Sequence, residues 1–163
     1  WNYHPEMLPN IEKIANEAGV PFEAVELEGM VEADVVISIT STFTPTVMAK
    51  HIAPGTHIAC MGADTKGKQE VEAALLAKVT VFTDEVAQSI SIGEAQHAIA
   101  AGLITESDVH QIGAVINGTH AGRTSDDEIT MFDGTGVGLQ DLAVAAAVVD
   151  LAVAKGIAIE VDF

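Results

Sequence analysis

The stretch Thr56-His57-Ile58-Ala59-Cys60-Met61-Gly62-Ala63-Asp64 joins a short apolar run to a turn that carries a carboxylate. The apolar run follows Pro54-Gly55, and its length and composition predict a buried strand of a parallel sheet. Open α/β sheets bind their ligands just beyond the carboxyl ends of such strands. Asp64 is therefore a candidate functional acid.

Strands and helices alternate along the chain on both sides of this stretch. Residues 22–27 alternate apolar and acidic side chains, which predicts a half-exposed strand, and residues 35–40 predict a more buried one. Further strands are predicted at residues 79–82 and 128–132, and helices or helical turns at residues 5–18, 28–34, 47–51, 70–77, 85–99 and 139–155. The alternation is typical of right-handed βαβ crossovers. The predicted fold class is α/β, a Rossmann-like doubly wound parallel sheet.

The composition excludes several classes of partner. A formal net charge of -17 would repel a phosphate backbone, so no nucleic-acid partner is expected. The longest apolar run, residues 142–154, is interrupted by Asp150 and is shorter than the roughly 20 residues that span a bilayer, so no membrane partner is expected. Cys60 is the only cysteine, which excludes an internal disulfide. The chain shows no signal-peptide pattern, and a cytoplasmic location is expected.

Three ordered motifs resemble one protein family. The run Gly62-Ala63-Asp64-Thr65-Lys66-Gly67-Lys68-Gln69-Glu70 is similar to the G-[AG]-D-x-x-G-K-x-E segment of the ornithine cyclodeaminase/mu-crystallin family. The second motif is Val81-Phe82-Thr83-Asp84 with Gly93-Glu94, and the third is Gly122-Arg123 followed by residues 128–136 and Gln140-Asp141. Together they cover nearly the whole chain, which is far more specific than a lone glycine pattern.

The resemblance implies an activity and a cofactor. The motifs are most similar to those of the imine-reducing members, which implies reduction of a small imino acid with NADH, and iminosuccinate reduced to aspartate is the expected reaction. Two alternatives stay open. An ornithine cyclodeaminase-type lyase would release ammonia with bound NAD, and a mu-crystallin-like protein would bind ligands without turnover.

The resemblance also implies parts that this chain lacks. A nucleotide-binding half normally opens with a strand, a G-x-G-x-x-G/A turn and a helix, and no such turn precedes the first residues here. We expect a fragment without the first βα unit and without the family's N-terminal substrate and dimerisation domain, the full-length form being a homodimer. A complete small α/β domain is the alternative. The predicted division is a partial NAD-binding domain over residues 1–133 and a C-terminal helix and tail over residues 134–163.

Site residues follow from the same resemblance, motif by motif. Asp64 matches the catalytic aspartate, which faces the substrate nitrogen beside the nicotinamide; in the alternative it only caps the next helix. The positions that match cofactor contacts are Asn2, Thr40, Ser41, Met61, Gly62, Gly134, Thr135 and Gly136.

Each of these assignments has a simpler alternative. Asn2 would merely shape a turn, and the hydroxyls of Thr40 and Ser41 would satisfy stray backbone groups. Because Asn2 is neutral and has no neighbouring cation, NAD is favoured over NADP. Lys66 and Lys68 are expected to be solvated. The six histidines show no metal-ligand spacing, so no metal site is predicted.

Overall fold

The computed structural model describes residues 1–161, which form a five-stranded sheet with every strand pair parallel. The strands are β1 (Val35–Ser38), β2 (His57–Cys60), β3 (Thr80–Thr83), β4 (Val109–Gln111) and β5 (Thr130–Asp133). Their order across the sheet is β1-β2-β5-β3-β4, so the last strand of the chain is inserted at the centre. The predicted α/β architecture is confirmed.

Residues 1–161 also contain six α-helices and four short stretches of 3-10 helix. The helices are α1 (Leu8–Ala18), α2 (Ala73–Leu76), α3 (Val86–Ser89), α4 (Ala95–Ala100), α5 (Ile112–Ile116) and α6 (Gly138–Ala154). The predicted end of α1 is confirmed, because Gly19 adopts a left-handed φ of 70° that only glycine takes without strain. The 3-10 turns are Pro5–Met7, Leu27–Glu32, Ala49–His51 and Glu106–Asp108.

The register of the sheet brings the carboxyl ends of four strands together. Cys60 lies opposite Ser38 on one side and Asp133 on the other, and Asp133 also lies opposite Thr83. The loops that follow β1, β2, β3 and β5 therefore leave the sheet side by side. These loops contain the catalytic and cofactor residues predicted from the sequence, except Asn2.

The core lies between the sheet and its short helices. Ile58 on β2 and Met131 on β5 are fully buried, and Leu75 and Leu76 of α2 pack into the same cluster. β1 departs from the prediction of a buried strand: Val35 and Ile37 are 56% and 70% exposed, and only the alternate residues are covered. The cause is position, because β1 is an edge strand in the described sheet and neighbours shield one face alone.

Two predicted elements are corrected. Residues 22–27 form no strand, because the described sheet ends at β1 and the segment has no ladder partner there. The helix predicted over residues 70–77 shrinks to α2, because Val71 forms a parallel bridge with Val47 and the N–H groups of Glu70 and Val71 both donate to the Glu94 side chain.

Two further differences concern residues 85–116. The helix predicted over residues 85–99 is divided into α3 and α4, with Gly93 between them in close contact with β5: a Cβ there would lie 2.5 Å from Asp133 Oδ2. Sequence reasoning missed β4 and α5, because three residues are too few to show a periodicity.

The C-terminal helix α6 was predicted from the sequence, and its apolar surface is exposed. Its bounds agree with the predicted helix, yet none of its 17 residues is buried. The predicted boundary between residues 133 and 134 stays a prediction, and residues 162 and 163 of the second segment lie outside the described residues. Within residues 1–161, no helix combines the length and apolarity that crossing a membrane requires.

Candidate functional site

A cavity of about 670 Å³ runs along β1 and the loop that follows it. Its lining includes Asn2, Thr40 and Ser41, so the structure brings together three residues predicted to contact a cofactor although they are far apart in the sequence. In the part of the chain that the structure describes, the lining contains no lysine or arginine and does contain Glu26.

Asn2 also has the local role that the alternative interpretation gave it. Its Oδ1 accepts a hydrogen bond from the backbone N–H of His4 at 2.7 Å, which shapes the turn before α1. Lining a cavity and shaping a turn are compatible, because the carboxamide has separate donor and acceptor atoms. The assignment of Asn2 to the cofactor stays a prediction.

A second group of predicted residues meets at the ends of β2 and β5. The N–H of Gly134 donates to the Cys60 carbonyl at 2.8 Å, which continues the ladder past the strand ends. A Cβ on Gly134 would lie 2.7 Å from Met61 Sδ, so Gly134 and the end of the Met61 side chain are in close contact. Met61, Gly62 and residues 134–136 do not line the 670 Å³ cavity.

Asp84 anchors the loop after β5, and sequence reasoning assigned it no role. Its Oδ1 accepts from the Thr135 N–H at 3.0 Å and the Thr135 hydroxyl at 2.7 Å, and its Oδ2 accepts from the Gly136 N–H at 2.7 Å. Partial burial raises the pKa of Asp84, but the hydrogen bonds outweigh it and the net pKa lies below the usual range.

Asp64 lies in the loop after β2, exposed and paired with a lysine. Lys68 Nζ donates to Asp64 Oδ1 at 2.6 Å, and the Thr65 hydroxyl donates at 3.0 Å. These bonds, with the charge of Lys68, hold the pKa of Asp64 below its usual range. Asp64 is therefore a carboxylate at neutral pH.

Two interpretations of this loop are corrected. Asp64 does not cap the next helix, because α2 begins only at Ala73 and Glu72 is its N-cap residue. Lys66 is exposed as expected, but Lys68 is not a solvated lysine: its side chain is only 18% exposed, and the ammonium group faces Asp64.

Three carboxyl groups are buried beneath these loops. Glu70, Glu94 and Asp133 are almost completely inaccessible, and Cys60 lies among them. Burial raises the pKa of the Cys60 thiol well above its usual value, and the neighbouring acids raise it further, which keeps the thiol protonated.

Hydrogen bonds connect the three acids to one another and to the strand ends. Asp133 Oδ2 accepts from the Ser89 hydroxyl at 2.5 Å and from the Glu94 N–H at 2.9 Å. Glu94 in turn accepts from the N–H groups of Glu70 and Val71, at 2.8 and 3.0 Å. Burial raises the pKa of Glu94 to about 8 and that of Asp133 to about 6 against the opposing effect of these bonds.

Sequence reasoning missed the burial of these acids, although Glu70, Glu94 and Asp133 all occur in the quoted motifs. One local signal was available, because Glu94 and Asp133 each have a glycine beside them and Glu70 precedes a valine. That pattern is also common in exposed turns. What identifies the three acids is their contacts with distant segments.

The remaining polar clusters lie away from this edge. His110 and His120 pack with their ring centroids 4.5 Å apart, against Phe82. Burial and the nearby Arg123 lower the pKa of His57. Among residues 1–161, no group of three histidine, cysteine, aspartate or glutamate side chains is close enough to hold a metal ion.

Comparison with known proteins identifies the family. The model of the ornithine cyclodeaminase/mu-crystallin family matches residues 1–156. The chain belongs to this family. The family resemblance and the Rossmann-like fold predicted from the sequence are thereby confirmed.

Two relatives from this family are close enough to guide interpretation. The chain is 62% identical over 163 residues to the iminosuccinate reductase of Paracoccus denitrificans, covering 99% of this chain and 51% of the relative. It is 38% identical over 148 residues to the alanine dehydrogenase of Archaeoglobus fulgidus, covering 90% and 46%. The chain thus spans about half the length of the curated family members it matches.

Two solved structures are also similar to this chain, each over about half of its own length. The crystal structure of the Paracoccus denitrificans iminosuccinate reductase in complex with NAD+ matches with a TM-score of 0.94, over 100% of this chain and 51% of that one. An archaeal alanine dehydrogenase dimer with bound NAD matches at 36% identity with a TM-score of 0.88, over 95% and 49%.

The raised pKa of Glu94 predicts a pH-dependent stability. The folded state holds this proton up to about pH 8 and the unfolded state only up to about 4.5, so stability is full below pH 4.5 and is lost as the pH rises towards 8. Glu94→Gln cannot titrate. The difference in unfolding free energy between the unmodified protein and the variant should therefore shrink by up to about 1.4 kcal/mol per pH unit across this range.

Chemical denaturation at several pH values between 5 and 8 measures this difference. The variant also loses an acceptor for the Val71 N–H, which adds a constant offset and not a slope. A difference that is the same at every pH would show that Glu94 does not hold the proton.

Proposed function

We propose that the protein to which this chain belongs is an NAD-dependent oxidoreductase that reduces the C=N bond of a small imino acid, with iminosuccinate as substrate and aspartate as product. The observation that carries the proposal is the Asp64–Lys68 pair at the end of β2, in a chain 62% identical to an iminosuccinate reductase. The relative's NAD+ complex and its TM-score of 0.94 support NAD as the cofactor.

The described residues fit a nicotinamide dinucleotide. The cavity beside β1, at about 670 Å³, is in the usual range for small-molecule and cofactor sites. Asn2, Thr40 and Ser41 are among the residues that line it. Because no lysine or arginine lines the described cavity, a 2′-phosphate would find neither of these counter-charges there, which supports NADH over NADPH.

The chemistry assigned to Asp64 follows from its ionisation. Bound NADH would supply the hydride that reduces the imine carbon. The Asp64 carboxylate stabilises a protonated imine nitrogen, which makes the imine carbon a better hydride acceptor, and it can pass a proton to or from that nitrogen. The hydrogen bond and the charge of Lys68 lower the pKa of Asp64 further and fix the orientation of the carboxylate.

The other predictions about the whole protein have less support and form part of the same proposal. A homodimer is supported by the archaeal alanine dehydrogenase dimer, which matches this chain with a TM-score of 0.88. A cytoplasmic location rests on the sequence alone. The ornithine cyclodeaminase and the mu-crystallin-like binding protein are the alternatives that the first experiment separates.

The first experiment follows NADH absorbance in the full-length protein with iminosuccinate generated from oxaloacetate and ammonia. We expect NADH oxidation with formation of aspartate, and a lower kcat/KM with NADPH. Release of ammonia from ornithine without net NADH consumption would identify a cyclodeaminase. NADH binding without turnover of any imino acid would identify a binding protein.

The second experiment tests Asp64 with the full-length variant Asp64→Asn. General acid–base groups contribute about 10²–10⁴-fold, so kcat should fall by a factor in this range while NADH affinity is retained. Asp108→Asn is the matched control. Asp108 is also exposed, and local hydrogen bonds also lower its pKa. It lies at the amino end of β4, however, whereas Asp64 follows the carboxyl end of β2. The kcat of Asp108→Asn should be unchanged. A kcat for Asp64→Asn within a few-fold of the unmodified enzyme would reject the catalytic role.

A further inference from the structure

Glu70 is a carboxyl group that joins two loops at the carboxyl edge of the sheet. Its Oε1 accepts from the Ser38 hydroxyl at 2.5 Å, the Thr40 N–H at 2.6 Å and the Thr40 hydroxyl at 2.9 Å. Its Oε2 accepts from the Gly62 N–H at 2.6 Å. One oxygen thus holds the end of β1 and its loop, while the other holds the loop after β2.

The packing around Glu70 leaves little freedom for movement. The side chain is fully buried, and within residues 1–161 the structure gives it no lysine or arginine partner, so these four hydrogen bonds compensate for its desolvation. A Cβ on Gly62 would lie 2.7 Å from the Thr40 backbone nitrogen and 2.8 Å from Glu70 Cδ. The two loops are therefore in direct contact, and glycine at residue 62 permits it.

The backbone of Glu70 is held from the opposite side. Its N–H donates to Glu94 Oε1, and the Glu94 N–H donates to Asp133 at the end of β5. The position of the Glu70 carboxyl group is therefore tied to a third strand end. A rigidly placed acceptor between two loops determines the distance between them.

We propose that Glu70 is a positioning residue: by holding Thr40 and Gly62 on opposite oxygens of one carboxyl group, it sets the distance between the cofactor-lining loop after β1 and the loop that carries Asp64. The inference rests on the proposed function, because it assigns Thr40 to the cofactor and Asp64 to the substrate nitrogen. Hydride transfer is steeply sensitive to this distance, and a misplacement of about 1 Å can cost on the order of 10²-fold in rate.

The test compares full-length Glu70→Gln with the unmodified enzyme. The amide keeps the shape but has one acceptor oxygen, so one of the two loops loses its bond and faces an N–H group. We expect kcat/KM to fall on the order of 10²-fold. The primary deuterium isotope effect measured with NADH labelled at the transferred hydrogen should rise, because hydride transfer becomes more rate-limiting. Amide hydrogen exchange in peptides that contain Thr40 or Gly62 should become faster.

Glu128→Gln is the control variant. The Glu128 carboxylate also accepts from a threonine hydroxyl and a backbone N–H, those of Thr80 and Thr124, but at the amino edge of the sheet. It should leave the isotope effect and the exchange of Thr40 and Gly62 unchanged. If Glu70→Gln does not fold, Ser38→Ala removes one of the four bonds and should change both readouts in the same direction by a smaller amount.

The outcomes distinguish this inference from the proposed function. Glu70→Gln with lower thermal stability but an unchanged isotope effect and an unchanged kcat/KM would overturn the positioning role. If the unmodified protein does not reduce iminosuccinate, the proposed function fails, and amide exchange still decides the structural claim. Unchanged exchange at Thr40 and Gly62 in Glu70→Gln would then overturn the inference, and faster exchange in Glu70→Gln but not in Glu128→Gln would support it.

Discussion

Buried and partly buried carboxyl groups accept hydrogen bonds from the backbone N–H groups of the loops at the carboxyl edge of this sheet. Glu70 holds the loops after β1 and β2, Asp84 holds the loop after β5, and Glu94 connects Glu70 to Asp133. Irregular loops cannot satisfy their own backbone donors, and a carboxylate oxygen can accept several at once. The positions of the candidate site residues depend on these contacts, because residues 39–46, 61–70 and 134–137 lie in no helix or strand.

This arrangement gives the exposed and buried acids different tasks. Asp64 is exposed, paired with Lys68 and ionised, whereas burial raises the pKa of Glu94 to about 8. Carboxyl groups whose environments shift their pKa values apart can serve chemistry and structure within one site. The strongly acidic composition is therefore no guide to which acids are functional. Their burial and their hydrogen-bond partners separate the structural acids from the candidate catalytic one.

The features predicted from sequence are those with local causes. β2 and the Asp64 turn follow from an apolar run next to glycine, and α1 from a proline start and a glycine end. The failures depend on distant partners: residues 22–27 alternate like a strand but have no neighbour to pair with, and the exposed face of β1 reflects its edge position. Glu70 contacts Thr40 across 30 residues, and no local pattern reports such a contact. The prediction that Lys68 is solvated was wrong because the folded conformation of its loop buries most of the side chain.

The central claim is that Asp64, positioned by Glu70 and hydrogen-bonded to Lys68, meets the substrate nitrogen at the end of β2. A crystal structure of the full-length protein with NAD+ and aspartate tests it most directly. The account predicts the aspartate nitrogen within about 2.6–3.2 Å of an Asp64 oxygen, with Thr40 and Gly62 both bonded to Glu70 and the nicotinamide between the loops after β2 and β5. An aspartate nitrogen held by another residue, with Asp64 facing solvent, would contradict the account.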